Sequence, residues 1–498
     1  MKPTDSKRKN ENSSVGMATV WSFAAELSAK LIVPVSNMIL ARILAPEIFG
    51  IIATINMIIS FADMISTAGF QKYLVQHQYD STEELHKGAS VAFWTNLTIS
   101  LLAWVIIAIF RNPISDALGN SGYGVALSVA ALSLPLTSFS SIQESLFQKN
   151  LNYKVLFIKR LSVSLLPLVI TVPLALLGLQ HWSLIIGNLS GGVLKAILLT
   201  YASDWKPNLF YSFRLLKKML SFSIWTLLET IALWASNYID ILIISNALGS
   251  YYTGLYKNSQ STVTSILTIV TGATTSVLFS SLSRYQDDRE KFEKLFFEFQ
   301  KNVAMFVLPL GVGIFCFRDL VTSLLLGKQW VEAADFVGIW GLCTSIVCVF
   351  GTFSREVYRA KGKPKISLLA QVLHLVFVVP VCLYSVRQGF DTLIWLRSFA
   401  FLQIVVVHMF FMKFYFKISP IKMFSSVKEI IFSSVAMGVL SFALKNYLPS
   451  GILWQFVMIF ICGILYFGIL MCFPKDRKYL LEMIKKPLAK LNAGKKKV

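Results

Sequence analysis

The sequence predicts an all-α polytopic membrane protein of about fourteen transmembrane helices: two pseudo-twofold-related six-helix bundles followed by two C-terminal helices. Three observations predict it. Of 498 residues, 55% are hydrophobic and the mean hydropathy is +0.63, against about 45–50% apolar usage in soluble domains. The apolar runs each reach the roughly 20 residues that a helix needs to cross a hydrocarbon core. Lys and Arg gather in alternate connections between those runs. Lipid offers no partner to a free backbone N–H or C=O, so continuous runs of this length are helices, and an outer-membrane barrel is excluded.

Taken in order, a charged segment (1–16, with Lys2, Lys7, Arg8 and Lys9) precedes the first span, 17–41. That span is longer than the apolar region of a signal peptide and carries Glu26 and Lys30, so it is expected to stay as a helix rather than be cleaved. Ala45-Pro46-Glu47 opens the second span, 48–71. The third, 88–110, stops at Arg111-Asn112-Pro113, and the fourth to sixth follow at 123–147, 155–178 and 181–203. Asp204-Trp205-Lys206-Pro207 begins a cytoplasmic linker, 204–218. Beyond it the seventh and eighth spans, 219–247 and 251–280, flank Leu248-Gly249-Ser250. The ninth is 295–316, and the longest non-cytoplasmic connection, Phe317 to Glu332, reads only as a loop. The tenth to twelfth are 333–358, 366–386 and 392–416, with Lys361-Gly362-Lys363-Pro364 between the first two of these. Spans 428–448 and 452–473 precede a basic tail, 474–498. The expected division is an N-lobe (17–203), a C-lobe (219–416) and the added helix pair within 428–473.

A net charge of +21 suggests nucleic acid, but the distribution argues for topology instead. Of the 47 Lys and Arg, 37 lie on one side of the expected spans and only Arg42, Arg111, Arg318, Lys328, Arg387 and Lys445 on the other. The richer side is cytoplasmic by the positive-inside rule, and an even number of crossings puts both termini there. No nucleic-acid partner is expected. The six cysteines lie within or at the ends of apolar runs, with no C-x-x-C pair, and read as small packing residues rather than metal ligands.

The halves repeat. At an offset of 204 residues, Leu44-Ala45-Pro46-Glu47-Ile48-Phe49-Gly50 lies over Leu248-Gly249-Ser250-Tyr251-Tyr252-Thr253-Gly254. The same offset carries Asn56, Ser60, Thr67 and Gln71 onto Gln260, Thr264, Thr271 and Thr275. Six helices of separation preserve orientation, so the copies are parallel about an axis along the membrane normal. A weaker echo sets Phe147-Gln148-Lys149-Asn150 beside Tyr358-Arg359-Ala360-Lys361.

Polar residues spaced by 3 or 4 share a helix face. The second span carries Asn56, Ser60, Asp63, Thr67 and Gln71, and the eighth carries Lys257, Ser261, Thr264, Thr268, Thr271 and Thr275, with Gln260 beside them. The first offers Glu26, Lys30 and Asn37; the seventh offers Glu229, Ser236, Asn237 and Asp240. For a single Ser or Thr the bland reading is a hydroxyl bonded to its own helix or to a neighbour. Charges differ, because an ion at mid-bilayer costs at least about 2.5–3.5 kcal/mol unless it meets water or a partner. Glu26 and Lys30 stand one turn apart and can neutralise each other. Asp63, Glu229, Asp240 and Lys257 have no partner nearby in sequence and are the stronger candidates. Four such faces around one wet cleft would suit a polar cargo moved by alternating access. Lys195, Arg397, His374 and His408 also fall within apolar runs; the histidines read as packing residues, and the two cations as snorkelling or groove-lining.

No phosphate-binding Gly-rich loop, H-E-x-x-H or G-x-S-x-G occurs. No large extramembrane loop presents carboxylates for sugar transfer. The expectation is a transporter rather than an enzyme, without cofactor or metal; a coupling ion, H+ or Na+, is left open.

Several segments carry a resemblance. Ala41-Arg42-Ile43-Leu44-Ala45-Pro46-Glu47-Ile48-Phe49-Gly50, the stretch from Phe61-Ala62-Asp63 to Gly69-Phe70, Phe147-Gln148-Lys149-Asn150-Leu151-Asn152-Tyr153, and Asn237-Tyr238-Ile239-Asp240 with Ala247-Leu248-Gly249 resemble the polysaccharide transporters of the multidrug/oligosaccharidyl-lipid/polysaccharide exporter superfamily. O-antigen and exopolysaccharide flippases belong there. The resemblance implies two six-helix bundles around a central cavity, with the last two helices beside a groove for a lipid tail. The implied cargo is an undecaprenyl-pyrophosphate-linked oligosaccharide crossing a bacterial inner membrane, with polysaccharide polymerase or assembly proteins as partners. Cations such as Lys30 and Lys257 would then meet pyrophosphate or acidic sugars through charge-assisted hydrogen bonds. The stripes hold more carboxylates than cations, so a carboxylate bound to a coupling ion is the other reading. A multidrug exporter of the same superfamily, and a membrane glycosyltransferase or polymerase, are the competing functions.

Overall fold

The computed structural model describes residues 32–67, 69–445 and 451–481, which form helices and, among the described residues, no strand. The chain opens with α1 (Ile32–Ile43), α2 (Pro46–Thr67) and α3 (Phe70–Gln76). Next come α4 (Thr82–Ile109), α5 (Arg111–Ala117), α6 (Gly124–Ala130) and α7 (Ser133–Lys149). α8 (Tyr153–Leu166) and α9 (Val172–Leu176) are joined by a π-helical turn at Pro167–Thr171, where proline removes a ladder donor. α10 (Gln180–Ala202), α11 (Phe213–Arg284), α12 (Arg289–Cys316) and α13 (Arg318–Leu325) follow. The remainder is α14 (Ala334–Val347), α15 (Phe353–Ala360), α16 (Pro364–Val386), α17 (Phe390–Phe416), α18 (Pro420–Ser425), α19 (Lys428–Lys445) and α20 (Ile452–Met471).

Eleven segments of the described residues are long and apolar enough to cross a membrane, so the chain is a multi-pass membrane protein. One of them, Thr230–Gly272, runs through parts of both the seventh and the eighth expected spans, which lie together on α11. Its helix α11 bends at Gly249, whose φ of 83° lies in the left-handed region that glycine enters without a Cβ penalty. The first expected span is described only from Ile32, and the thirteenth is α19, outside the eleven.

The second span differs from expectation. It ends at Thr67, and Gly69, with φ 76°, starts the separate seven-residue α3. Gln71 therefore does not continue the face of Asn56, Ser60, Asp63 and Thr67: a left-handed residue redirects the chain and cancels the 3.6-residue register.

Two compact units divide the chain. The first takes Met1–Ser265 with Leu325–Trp330 and Val378–Leu393; the second takes Ile266–Leu324, Val331–Phe377 and Ile394–Val498. In the first, α7 packs on α4 and α10, and α2 on α4. Buried Leu40, Leu44, Ile51, Leu127 and Leu134 anchor one apolar cluster there. In the second, α12 packs on α14 and α19, and α19 on α20. Close approach needs small residues: a Cβ on Gly311 would strike Ser345, and one on Gly341 would strike Ile314. The segment after α20 is tied to α12, because buried Asp476 pairs with Lys301 and the Tyr479 hydroxyl donates to Asn302 Oδ1 at 2.6 Å.

The connection between α13 and α14 is more than a loop. Within the first unit, Trp330 Nε1 donates to the Ala41 carbonyl at 2.7 Å and Gln329 Nε2 to that of Leu44 at 2.8 Å. These satisfy carbonyls at the end of α1 that helix geometry leaves without partners. The Trp330 ring is fully buried and meets Phe49 edge-on at 5.3 Å.

Candidate functional site

Three helical segments of the first unit build the site: α2, and α11 before and after its bend. Tyr256 follows the bend by two turns, and its hydroxyl donates to Asp240 Oδ2 at 2.6 Å. The other carboxylate oxygen of Asp240 accepts the Ile241 N–H at 2.9 Å, and the side chain is buried to 1% exposure. Buried carboxylates persist when donors of this kind replace water. Gln260 Nε2 donates to the Tyr256 hydroxyl at 3.4 Å, and Lys257 Nζ donates to Gln260 Oε1 at 3.2 Å. The ammonium also stands 5.5 Å from the centroid of the Tyr238 ring, a cation–π distance.

Tyr238 leads back to α2. It stacks on Trp234 at 5.6 Å, and Trp234 tilts against Phe61 at 4.8 Å. Trp234 Nε1 donates to Ser60 Oγ at 3.1 Å and to the Met57 carbonyl at 3.3 Å, which fixes the plane of the indole. One turn beyond Ser60 stands half-buried Asp63, whose Oδ1 is shielded from solvent and has no hydrogen-bond partner among the described residues. Asn56 and Asn237 are exposed on the same two elements, and Asn237 Nδ2 donates to the Leu233 carbonyl at 2.8 Å.

The structure thus brings together three sequence-predicted residues, Asp240, Lys257 and Gln260, in one network; Asn237 precedes Tyr238 on α11, and Asp63 lies on α2 one turn beyond Ser60. Asp240 reaches the site through Tyr256 and touches no open surface itself. Gln71 stands apart on α3, and Asn37 is half-buried on α1. Glu26, Lys30 and the Glu229 side chain lie outside the described residues. Four stripe hydroxyls turn to their own helix: Ser60 to Met57, Thr67 to Asp63, Ser236 to Ala232 and Thr271 to Leu267.

The sequence reading missed the rings. Phe61, Trp234 and Tyr238 lie at helical spacing among the polar positions, and that interleaving was the available signal. It also missed Glu144, a carboxylate alone in an apolar run, as Asp63 is. Glu144 binds Lys159 at 2.7 Å and Lys195 at 2.9 Å, so Lys195 is ion-paired rather than snorkelling. In the second unit the histidines are packing residues as expected: His374 Nδ1 lies 3.1 Å from Gln403 Oε1, and His408 Nδ1 2.9 Å from the Tyr358 hydroxyl. Arg397 is buried against Trp340, 5.3 Å from its ring centre. Among the described residues no group of His, Cys, Asp or Glu is arranged to hold a metal ion.

A polar and aromatic site at membrane depth is found in a chain that resembles known transporters. It is 26% identical to the succinoglycan biosynthesis transport protein ExoT of Rhizobium meliloti (strain 1021) over 67% of each chain. It is 22% identical to the lipopolysaccharide biosynthesis protein WzxC of Escherichia coli (strain K12) over 72% of this chain and 73% of that one. Among solved structures, lipid II flippase MurJ in an inward closed conformation superposes with a TM-score of 0.72 at 16% identity, covering 92% of this chain and 99% of that one. An inward-facing multidrug resistance MATE family transporter superposes at 0.56 with 15% identity, over 82% and 96%. Both likenesses concern the fold. The family described as "Polysaccharide biosynthesis protein" matches residues 39–335, more than half of the sequence. The chain belongs to that polysaccharide biosynthesis protein family.

Proposed function

We propose that the chain is a flippase that carries an undecaprenyl-pyrophosphate-linked oligosaccharide across a bacterial inner membrane for surface polysaccharide synthesis. The observation that carries this reading is the hydrogen-bonded chain that runs from buried Asp240 and Tyr256 to the partly exposed Gln260 and Lys257 inside a membrane span of a polysaccharide biosynthesis family member. A purely structural helix pair has no need of an ammonium held within a span, given its cost in lipid. The names of relatives that transport succinoglycan or serve lipopolysaccharide synthesis support the same cargo class. In this reading Lys257 meets phosphate or an acidic sugar, and Asp63 takes the coupling cation, H+ or Na+. Both termini lie in the cytoplasm, and the transported units feed a polysaccharide polymerase. The chain carries out no bond-making chemistry of its own.

Deleting the gene in its host and tracing lipid-linked repeat units tests this. Accumulation of the units on the cytoplasmic side with loss of surface glycan is the expected result. Unchanged surface glycan, or sensitivity to drugs alone, contradicts it; the latter would indicate a multidrug exporter.

A further inference from the structure

The rings beside Lys257 have a role that the polar network does not give them. Phe61, Trp234 and Tyr238 form a continuous ladder, with ring separations of 4.8 and 5.6 Å, and Lys257 stands at its end. Phe61 is 37% exposed, Trp234 and Tyr238 are partly exposed, and Asn56 and Asn237 are exposed on the same two helices. Amides turned toward lipid would be costly, so this face opens on water. Indole anchoring to Ser60 and Met57 holds the ladder rigid before any ligand arrives, which lowers the entropy lost on binding.

We propose that Phe61, Trp234 and Tyr238 are a carbohydrate platform on which a pyranose ring of the cargo stacks, with Asn56, Asn237 and Lys257 as its polar rim. A pyranose has one face of C–H bonds with slight positive charge and a rim of hydroxyls. The C–H face is complementary to the negative face of an aromatic ring. The hydroxyl rim suits amides that both donate and accept. An aliphatic isoprenoid would bury against rings without needing the asparagines, and a bare pyrophosphate would need further cations instead. The glycan is the part of a lipid-linked sugar that uses every group present. This inference rests on the flippase reading and deepens it by assigning the sugar contact.

The test is binding to the purified full chain in lipid nanodiscs, with two radiolabelled probes. One is the lipid-linked oligosaccharide extracted from a host strain; the other is undecaprenyl pyrophosphate, which has no sugar. Trp234→Leu and Tyr238→Leu are expected to weaken the glycosylated probe about tenfold or more, as ring removal does at stacking sites. The bare lipid should change less than about twofold, well under the 1.4 kcal/mol of a tenfold step. Tyr238→Phe keeps the ring and recovers most of the loss. Phe61→Leu, at an exposed position that leaves the core intact, should show the same split if either larger substitution lowers yield. Equal loss for both probes, or no loss for the glycosylated one, overturns the platform. Flipping by the same variants is measured separately, so the platform can fail while transport stands.

Discussion

Gly50 and Gly254 interlock as reciprocal partners. A Cβ on Gly50 would run into the Ser250 carbonyl, and a Cβ on Gly254 into the Pro46 carbonyl. The four positions obey one offset, since 254 follows 50 and 250 follows 46 by the 204 residues of the internal repeat. A contact that maps onto itself under the repeat is what a pseudo-twofold axis between equivalent turns produces. Nearby, Asn246 Nδ2 donates to the Ala117 carbonyl at 2.7 Å, and Ser245 Oγ donates to that of Leu118. Two backbones meet here without side chains between them, so no rotamer change can relieve an intruding methyl.

Gly50→Ala and Gly254→Ala should therefore each destabilise by at least the 1–3 kcal/mol, roughly, of an overpacked core. Because they strain one contact, the double variant should lose clearly less than the sum. Thermal unfolding of the detergent-purified variants checks this. Additive losses would mean that the two sites are independent.

Asp240 and Tyr256 should be coupled. Leaving a buried acceptor without its donor costs about 1–3 kcal/mol, so Tyr256→Phe should destabilise the parent by that order and Asp240→Asn much less when Tyr256 is already Phe. A double-mutant cycle on unfolding provides the measurement. If the two substitutions add independently, the bond contributes nothing to stability.

Asp63→Asn should fold with normal yield, since Oδ1 already has no hydrogen-bond partner to lose among the described residues. Transport should lose its dependence on the proton or sodium gradient, read as initial rates in vesicles with imposed gradients. A variant that still responds to the gradient removes Asp63 from ion coupling.

Glu144→Gln would leave Lys159 and Lys195 facing each other without their shared carboxylate. Glu144 is 25% exposed, so the loss should lie nearer about 1–2 kcal/mol than the 3–5 of a deeply buried pair. Adding Lys195→Gln should restore part of it. Stability unchanged by Glu144→Gln would make the cluster incidental.

Fold class, most span positions and the repeat were legible because each depends on run length or on a fixed offset, properties of the chain itself. Asp240, Lys257 and Gln260 were legible as a polar face, since 3- and 4-residue spacing sets their direction before any packing. The break at Gly69 was harder: glycine is common inside membrane helices, and only the packing of α3 decides that this one turns left-handed. Trp330 could not be placed, because its partner Ala41 lies 289 residues away and no local pattern connects them. The ring ladder stayed hidden for a different reason. Apolar aromatics look like core in a sequence that is 55% hydrophobic, and only the exposure of Asn56 and Asn237 on the same helices sets these rings apart.

Purified chain in proteoliposomes, loaded with a fluorescently labelled lipid-linked oligosaccharide, gives the most direct test of transport. A membrane-impermeant quencher bleaches only the outer leaflet, so movement appears as bleaching beyond that share. The account predicts such bleaching with the parent protein and its loss with Lys257→Ala at unchanged folded yield. Bleaching no faster than in protein-free liposomes, or full activity without Lys257, would contradict it.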